Sequence, residues 1–321
     1  MGASTDIMTA VVFPGQGSQE KGMGRDLAEH DGQYMGLWKL AEKASGLPLR
    51  EIYWDGEAED MADTRALQPA MTAVNLSLWL YAGMRLEPAC VAGHSLGEFA
   101  ALAAARVLDP VNVLELTALR GRLMAEAGGP KGSSDEGMAA ILKLDRVTVE
   151  EMVAAASADT DALLVVANAN SPGQFVVSGK KPALDAIAAM AKERKGRAVP
   201  LAVSGAFHSP LMDEAARDLA KAMEKLHWRS PSTTIHFNAT GQAESDPDAV
   251  LETMARQMIS GVRWIDIVSA QWGMGARRWV EMGPKSVLTR LLSANLKDKD
   301  EPFEALNAST MEQADALFQE R

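Results

Sequence analysis

The segment Gly93-His94-Ser95-Leu96-Gly97 constrains this 321-residue chain more tightly than any other. It spells G-x-S-x-G, a spacing that asks a strand to reverse into a helix around one serine. Glycines two positions either side remove side chains that would collide in so sharp a turn. The flanks agree with this reading. Ala89–Ala92 is an apolar run of strand length, and Leu96, Phe99, Ala100, Ala103 and Val107 recur at helical spacing. The serine hydroxyl is then exposed at a helix N-terminus, whose unpaired N–H groups favour a developing negative charge. G-x-S-x-G also arises by chance in Gly- and Ser-rich chains, but strand and helix together make an activated serine the stronger reading.

Around this turn β-rich runs alternate with amphipathic helical runs, the pattern of an α/β fold with a mainly parallel sheet. Strands are predicted at Thr9–Phe13, Ala89–Ala92, Thr234–Asn238, Arg278–Glu281 and Phe303–Leu306. Helices are predicted at Pro69–Met84, Leu96–Ala105, Asn112–Glu126, Leu211–Leu226 and Lys285–Leu296. The middle differs. A Gly/Ser/Lys stretch, Gly128–Gly137, reads as a flexible loop. After it come strand Met138–Leu144, helix Val147–Ala156, strand Leu163–Ala167, a Pro172-Gly173 turn, strand Phe175–Ser178, helix Pro182–Lys195 and strand Ala198–Val203. That β-α-β-β-α-β order is the ferredoxin-like split motif. The expected organisation is a large, discontinuous α/β-hydrolase-like domain, residues 1–136 and 205–321, interrupted by a small ferredoxin-like domain, residues 137–204. A cleft between the two is the expected ligand site.

Composition excludes several classes. Hydrophobic residues make up 47% and charged residues 23%, as in ordinary globular proteins. No apolar run reaches the ~18 residues that mark a membrane-spanning helix. Met1–Ala10 lacks a basic region followed by an apolar core, so no secretory signal is read. The single cysteine, Cys90, cannot close an internal disulfide and sits in an apolar run, where it reads as packing. A cytoplasmic address is expected. The net charge of −11 argues against general nucleic-acid binding. Basic clusters at Lys180/Lys181, Lys192–Arg197 and Arg277/Arg278, each taken alone, read as solvated helix surface.

A serine nucleophile needs a general base, and the chain has five histidines. His30 and His227 lie in charged, helix-edge surroundings, and His236 in a short apolar strand where a satisfied core histidine is the usual case. His94 adjoins the serine, but neighbours on such a turn point apart, so a structural hydrogen bond suits it better. His208, in Gly205-Ala206-Phe207-His208-Ser209-Pro210, falls on a loop at the domain junction and is the preferred base. Asp213 follows it without any feature that marks it as the orienting acid. A backbone or amide oxygen can fix the imidazole tautomer equally well.

Four motifs now stand in order: Phe13-Pro14-Gly15-Gln16-Gly17-Ser18-Gln19, Gly93-His94-Ser95-Leu96-Gly97-Glu98, Asn168-Ala169-Asn170-Ser171-Pro172-Gly173-Gln174 and Gly205-Ala206-Phe207-His208. Together they resemble the malonyl-CoA:acyl carrier protein transacylases of bacterial fatty acid synthesis and the related acyltransferase domains of polyketide synthases. The resemblance runs from about Thr9 to Leu306. It implies that Ser95 takes malonyl from malonyl-CoA and passes it to the phosphopantetheine thiol of acyl carrier protein, with His208 as base. It implies an oxyanion hole from the Gln16 and Leu96 N–H groups, Arg120 on the malonyl carboxylate and a Gln257 carbonyl orienting His208. Asn168 matches a polar residue near the site, and Phe207 a bulky aromatic that accompanies malonyl rather than methylmalonyl. No cofactor or metal is implied beyond the group the carrier brings, and the chain is expected to act as a monomer.

The chemistry suits these assignments. A free carboxylate in an enclosed site needs a cation, and Arg can hold it bidentately. Arg122, two residues along the same helix, faces elsewhere. Lys285, in Gly283-Pro284-Lys285-Ser286, departs from the resemblance by standing where many members have glycine. The loop Gly128–Gly137 departs by its length. Two other readings remain at this level: a hydrolase of α/β type, which leaves Arg120 and Gln16 unexplained, and a non-catalytic carrier-docking module, which leaves Ser95 and His208 unexplained.

Overall fold

The computed structural model describes residues 7–129 and 135–319. From the N-terminus it contains β1 (Thr9–Phe13), α1 (Arg25–His30), α2 (Gly32–Ser45), α3 (Thr64–Tyr81), β2 (Cys90–Gly93), α4 (Gly97–Ala104) and α5 (Pro110–Gly128). Next come β3 (Glu136–Leu142), α6 (Arg146–Thr160), β4 (Leu164–Ser171), β5 (Gln174–Lys180), α7 (Lys181–Glu193) and β6 (Arg197–Pro200). The chain closes with α8 (Asp213–Met223), β7 (Thr234–His236), α9 (Pro247–Ala255), α10 (Trp264–Gly273), β8 (Arg278–Met282), α11 (Val287–Leu296), β9 (Glu304–Ala308) and α12 (Met311–Ala316).

The five outer strands form one parallel sheet in the order β7-β2-β1-β8-β9. Side chains alternate across a strand, so a central parallel strand must be apolar on both faces. β1 obeys this: Val11 and Phe13 pack with α3 and α4 residues in the main core, whereas Ala10 and Val12 pack with Trp264, Leu288 and Leu292 behind the sheet. Cys90 belongs to this second layer, and burial pushes its thiol up to about 12, as a packing residue requires. The four inner strands form a separate antiparallel sheet, β4-β5-β3-β6. It carries its own core from Ile141, Phe175 and Val177 with Met152 and Ile187 of α6 and α7. The fold is mixed α/β, with a βαββαβ unit set between β2 and β7 of the parallel sheet.

Several predicted boundaries shift for identifiable reasons. The helix expected from Pro69 begins at Thr64, because Asp63 caps it through the Arg65 N–H and Pro69 is tolerated inside. Strand β7 stops at His236 rather than Asn238, since Phe237 turns to bond Gln242 and the Asn238 N–H leaves to bond Glu98. Lys285 cannot open α11, as its φ of 67° is left-handed. Of the expected loop Gly128–Gly137, Gly128 ends α5 and Glu136 and Gly137 begin β3. Residues 130–134 of that loop, and residues 1–6 of the segment read for a signal, lie outside the described residues. Among the described residues no helix is long and apolar enough to cross a membrane.

Candidate active site

Ser95 joins the C-terminal end of β2 to the start of α4 with a φ of 51°. A left-handed backbone costs a non-glycine residue roughly 1–2 kcal/mol, so its surroundings must impose it. They do. A Cβ on Gly93 would run into the backbone of Gly97 and Glu98, and a Cβ on Gly97 into the Phe13 carbonyl. Gly15, just past β1, packs so closely that a Cβ there would lie 2.5 Å from the His94 carbonyl oxygen. Asn238 closes the turn from the other side: its Oδ1 accepts the Ser95 N–H at 2.6 Å and its Nδ2 donates to the Gly93 carbonyl at 2.6 Å.

His208, also left-handed at φ 57°, sits in the loop after β6 with Nε2 2.7 Å from Ser95 Oγ. Its Nδ1 faces the Ser260 carbonyl at 2.9 Å and the Gln257 carbonyl at 3.3 Å. Two carbonyl acceptors keep the proton on Nδ1 and leave the Nε2 lone pair aimed at the serine. Burial, and then the charge of Arg120, drive His208 down to about 3, so the ring is neutral and able to accept a proton. Among the described residues no acid orients it: Asp213 pairs instead with Arg217 at 3.0 Å on the surface. His94 turns away from the hydroxyl, with Nε2 2.8 Å from Asn170 Oδ1 and its ring edge-on to Trp264. Burial lowers its proton affinity too.

Arg120 reaches the site from α5 and is wholly buried. Its Nη2 donates to Ser95 Oγ at 3.2 Å and to Gln257 Oε1 at 3.2 Å, and its Nη1 to Gln68 Oε1 at 2.5 Å. It forms no ion pair among the described residues, and burial lowers it to about 10, still cationic at neutral pH. Arg122 points to solvent and faces Glu126 at 3.8 Å. Gln257 also donates through Nε2 to the Ser95 carbonyl at 2.8 Å and to Glu98 Oε2 at 3.0 Å. Glu98 is buried, and its other oxygen accepts the Asn238 N–H at 2.7 Å. Burial pushes Glu98 up to about 7, against the pull of those two donors and of Arg120.

The Leu96 and Gln16 N–H groups donate to no acceptor among the described residues. Leu96 directly follows the serine, and Gly15 beside Gln16 packs on the Leu96 backbone. Phe207 is buried in the main core beside Gly205. The β4 side chain that reaches the site is that of Asn170. Asn168 is half-buried with Oδ1 unpartnered, and it takes part through its backbone, pairing with Val262 and so fixing the segment that carries Ser260.

The sequence reading thus missed Ser260, Gln68, Asn170, Glu98 and Asn238. Glu98 stood in the quoted motif but carried no sign of its partners. A carbonyl acceptor such as that of Ser260 leaves no side-chain signature at all.

A serine hydroxyl on a neutral imidazole, with two unengaged N–H groups and a buried cation alongside, defines a site for acyl transfer through a serine ester. The chain belongs to the acyl transferase domain family, which it matches over residues 10–321. It is 35% identical over 293 residues to the malonyl CoA-acyl carrier protein transacylase of Staphylococcus aureus, covering 90% of this chain and 93% of that one. It also resembles the crystal structure of an acyl carrier protein S-malonyltransferase from Vibrio cholerae, with a TM-score of 0.88 and 35% identity. That likeness covers 96% of this chain and 99% of the other. A further structure, a malonyl-transacylase in complex with its type II PKS acyl-carrier protein, aligns with a TM-score of 0.87 at 31% identity over 96% and 98% of the two chains.

Proposed function

We propose that this enzyme transfers malonyl from malonyl-CoA to the phosphopantetheine thiol of acyl carrier protein, through a malonyl ester on Ser95, for fatty acid synthesis. The observation that carries this reading is Arg120: a fully buried cation, in no ion pair among the described residues, 3.2 Å from the serine oxygen. An ordinary hydrolase binding an apolar acyl group gains nothing from a charge that is so costly to bury. Glu98 acts on Arg120 only across Gln257, and a malonyl carboxylate supplies the direct counter-charge.

His208 takes the Ser95 proton as Oγ attacks the thioester carbonyl, and the oxyanion settles on the Gln16 and Leu96 N–H groups. The proton then passes to the leaving CoA thiolate, and His208 accepts another when the carrier thiol attacks the ester. Arg120 has a second effect. Its charge opposes formation of the His208 imidazolium, and a bound carboxylate neutralises that opposition. An acidic acyl group therefore raises the proton affinity of its own base, against the burial that lowers it most. Phe207 beside His208 supports malonyl over the bulkier methylmalonyl. Discrimination of one methyl is worth about 1–3 kcal/mol.

The reading needs no cofactor beyond the group the carrier brings, and places a single chain in the cytoplasm. Residues 137–204 act as a small domain inserted into a catalytic domain of residues 1–136 and 205–321, a division that the separate core of the antiparallel sheet supports. Carrier docking falls to a basic patch on that domain. Lys192–Arg197 suits this better than Lys180/Lys181, because strand register sets Arg197 at the same end of the sheet as Asn170. Intact-protein mass spectrometry after mixing with malonyl-CoA tests the whole reading. One malonyl adduct is expected, absent in Ser95→Ala; an adduct that persists in Ser95→Ala refutes it.

A further inference from the structure

Among the described residues Glu98 is the one carboxylate enclosed in this site, and no step of the reaction uses it. Its position is informative. It lies in the first turn of α4, 1% exposed, with each oxygen receiving a different N–H: Oε1 from the Asn238 backbone at 2.7 Å and Oε2 from Gln257 Nε2 at 3.0 Å. An ionised carboxylate only accepts hydrogen bonds, whereas an amide has one accepting end and one donating end. Glu98 therefore dictates which way Gln257 faces. With Nε2 committed to Glu98 and to the Ser95 carbonyl, the amide oxygen must point the opposite way, onto Arg120 Nη2.

The same carboxylate holds the serine turn. The Asn238 backbone is pinned by Glu98, and the Asn238 side chain grips Ser95 N and Gly93 O on either side of the left-handed residue. Glu98 also stops short of Arg120, since no ion pair joins them and Gln257 stands between. A direct salt bridge would occupy the guanidinium that the acyl carboxylate must use. The inserted amide transmits direction without taking up the cation.

We propose that Glu98 is a positioning residue that aims Arg120 through Gln257, and so sets the preference of this enzyme for acyl groups bearing a carboxylate. The inference rests on the assignment of Ser95 as the acylated serine and Arg120 as the carboxylate site. In Glu98→Gln the new amide must turn a donor toward either Asn238 N–H or Gln257 Nε2. Gln257 then flips, presents its NH2 group to the guanidinium and drives it off position.

The test compares Ser95 acylation by malonyl-CoA and by acetyl-CoA, using single-turnover kcat/KM read by mass spectrometry. A displacement of about 1 Å at a reacting site costs roughly a hundredfold. The malonyl-to-acetyl ratio should therefore fall by at least about tenfold in Glu98→Gln, over and above any loss common to both donors that comes from loosening the serine turn. Glu98→Asp keeps an acceptor-only group and should hold the ratio near that of the wild type even where both rates drop. Equal losses for the two donors in Glu98→Gln, no change in either, or the same loss of ratio in Glu98→Asp would each overturn the proposal. Should Glu98→Gln fail to fold, Gln257→Met reads the relay from its other end and must lose the same preference. If the wild type itself forms no malonyl-Ser95, the functional reading fails, a result distinct from a wild type that prefers malonyl and a Glu98→Gln that prefers it equally.

Discussion

Two strand-to-helix turns leave the parallel sheet on either side of β1, and they are built alike. In one, β2 passes through His94-Ser95-Leu96 into α4; in the other, β8 passes through Pro284-Lys285-Ser286 into α11. Each sets a serine at φ 51° ahead of its helix, and each packs a glycine against the Pro14-Gly15 turn after β1. Each also has a buried glutamate at hand. The difference lies in what the glutamate holds. At the second turn Glu281 comes before the helix and takes its first free donors, Leu288 N–H at 3.0 Å and Thr289 N–H at 2.7 Å. The Ser286 hydroxyl donates to Asn307 Oδ1. At the first turn Glu98 comes after the serine and looks back to Asn238 and Gln257, so Leu96 N–H stays unengaged and Ser95 faces a base. Backbone strain and a helix N-terminus are thus common to both serines. Uncapped donors and a neutral imidazole are what set Ser95 apart.

The sharpest way to break this comparison is to remove each hydroxyl. Ser95→Ala should abolish acylation and lower malonyl transfer overall by a factor on the order of 10⁶, as when a serine nucleophile is deleted elsewhere. Ser286→Ala should leave acylation within about twofold in the single-turnover mass-spectrometric assay; comparable losses would mean the two turns share the chemistry. The two glutamates also differ in titration. Arg120 is the charged group facing Glu98 among the described residues, and the other contacts are the N–H donors of Asn238 and Gln257. With Glu98 raised to about 7, protonation in the free enzyme releases Gln257 as the pH falls. Malonyl kcat/KM should then drop below pH ~7, toward tenfold per unit, and should lie flat in Glu98→Gln. His208, driven to about 3, contributes nothing to that limb. A limb near 6.5 that survives in Glu98→Gln would return it to a histidine.

What was legible in the sequence follows the same division between local and distant causes. Gly93 and Gly97 announce the serine turn because the collision they avoid lies within a few residues and against the neighbouring strand. The βαββαβ order was legible because each element is set by its own periodicity. Arg120 is an ordinary helix arginine until resemblance places it, since its partners Gln68 and Gln257 lie 52 and 137 positions away. Glu98 has the same difficulty: Asn238 and Gln257 are 140 and 159 positions off, and nothing near it in the chain reveals that they converge. The Lys285 departure was visible as an odd residue, but its backbone conformation was not.

Removing the Glu281 cap gives a smaller effect, confined to stability. Glu281→Ala frees the two α11 donors and should cost about 2 kcal/mol in urea unfolding, with malonyl transfer per folded molecule unchanged. A loss of activity at unchanged stability would show that α11 serves the site directly.

The smallest expected effect separates the turns most cleanly. Lys285 and Ser286 are successive left-handed residues, and Lys285 is exposed with only its carbonyl engaged, by Arg290 Nη1 at 2.7 Å. Lys285→Gly removes a conformational cost of roughly 1–2 kcal/mol and gives back about 0.5–1 kcal/mol through the freer unfolded chain. The net gain should be up to about 1.5 kcal/mol by chemical denaturation, with acylation untouched. Ser95→Gly relieves the same strain by the same route and should also stabilise the fold, yet abolish acylation. If Lys285→Gly destabilises instead, the second turn is not strained and the likeness between the two turns fails. If both glycine variants stabilise and only Ser95→Gly is inactive, the strain is common to both turns and the reactivity belongs to the contacts around Ser95 alone.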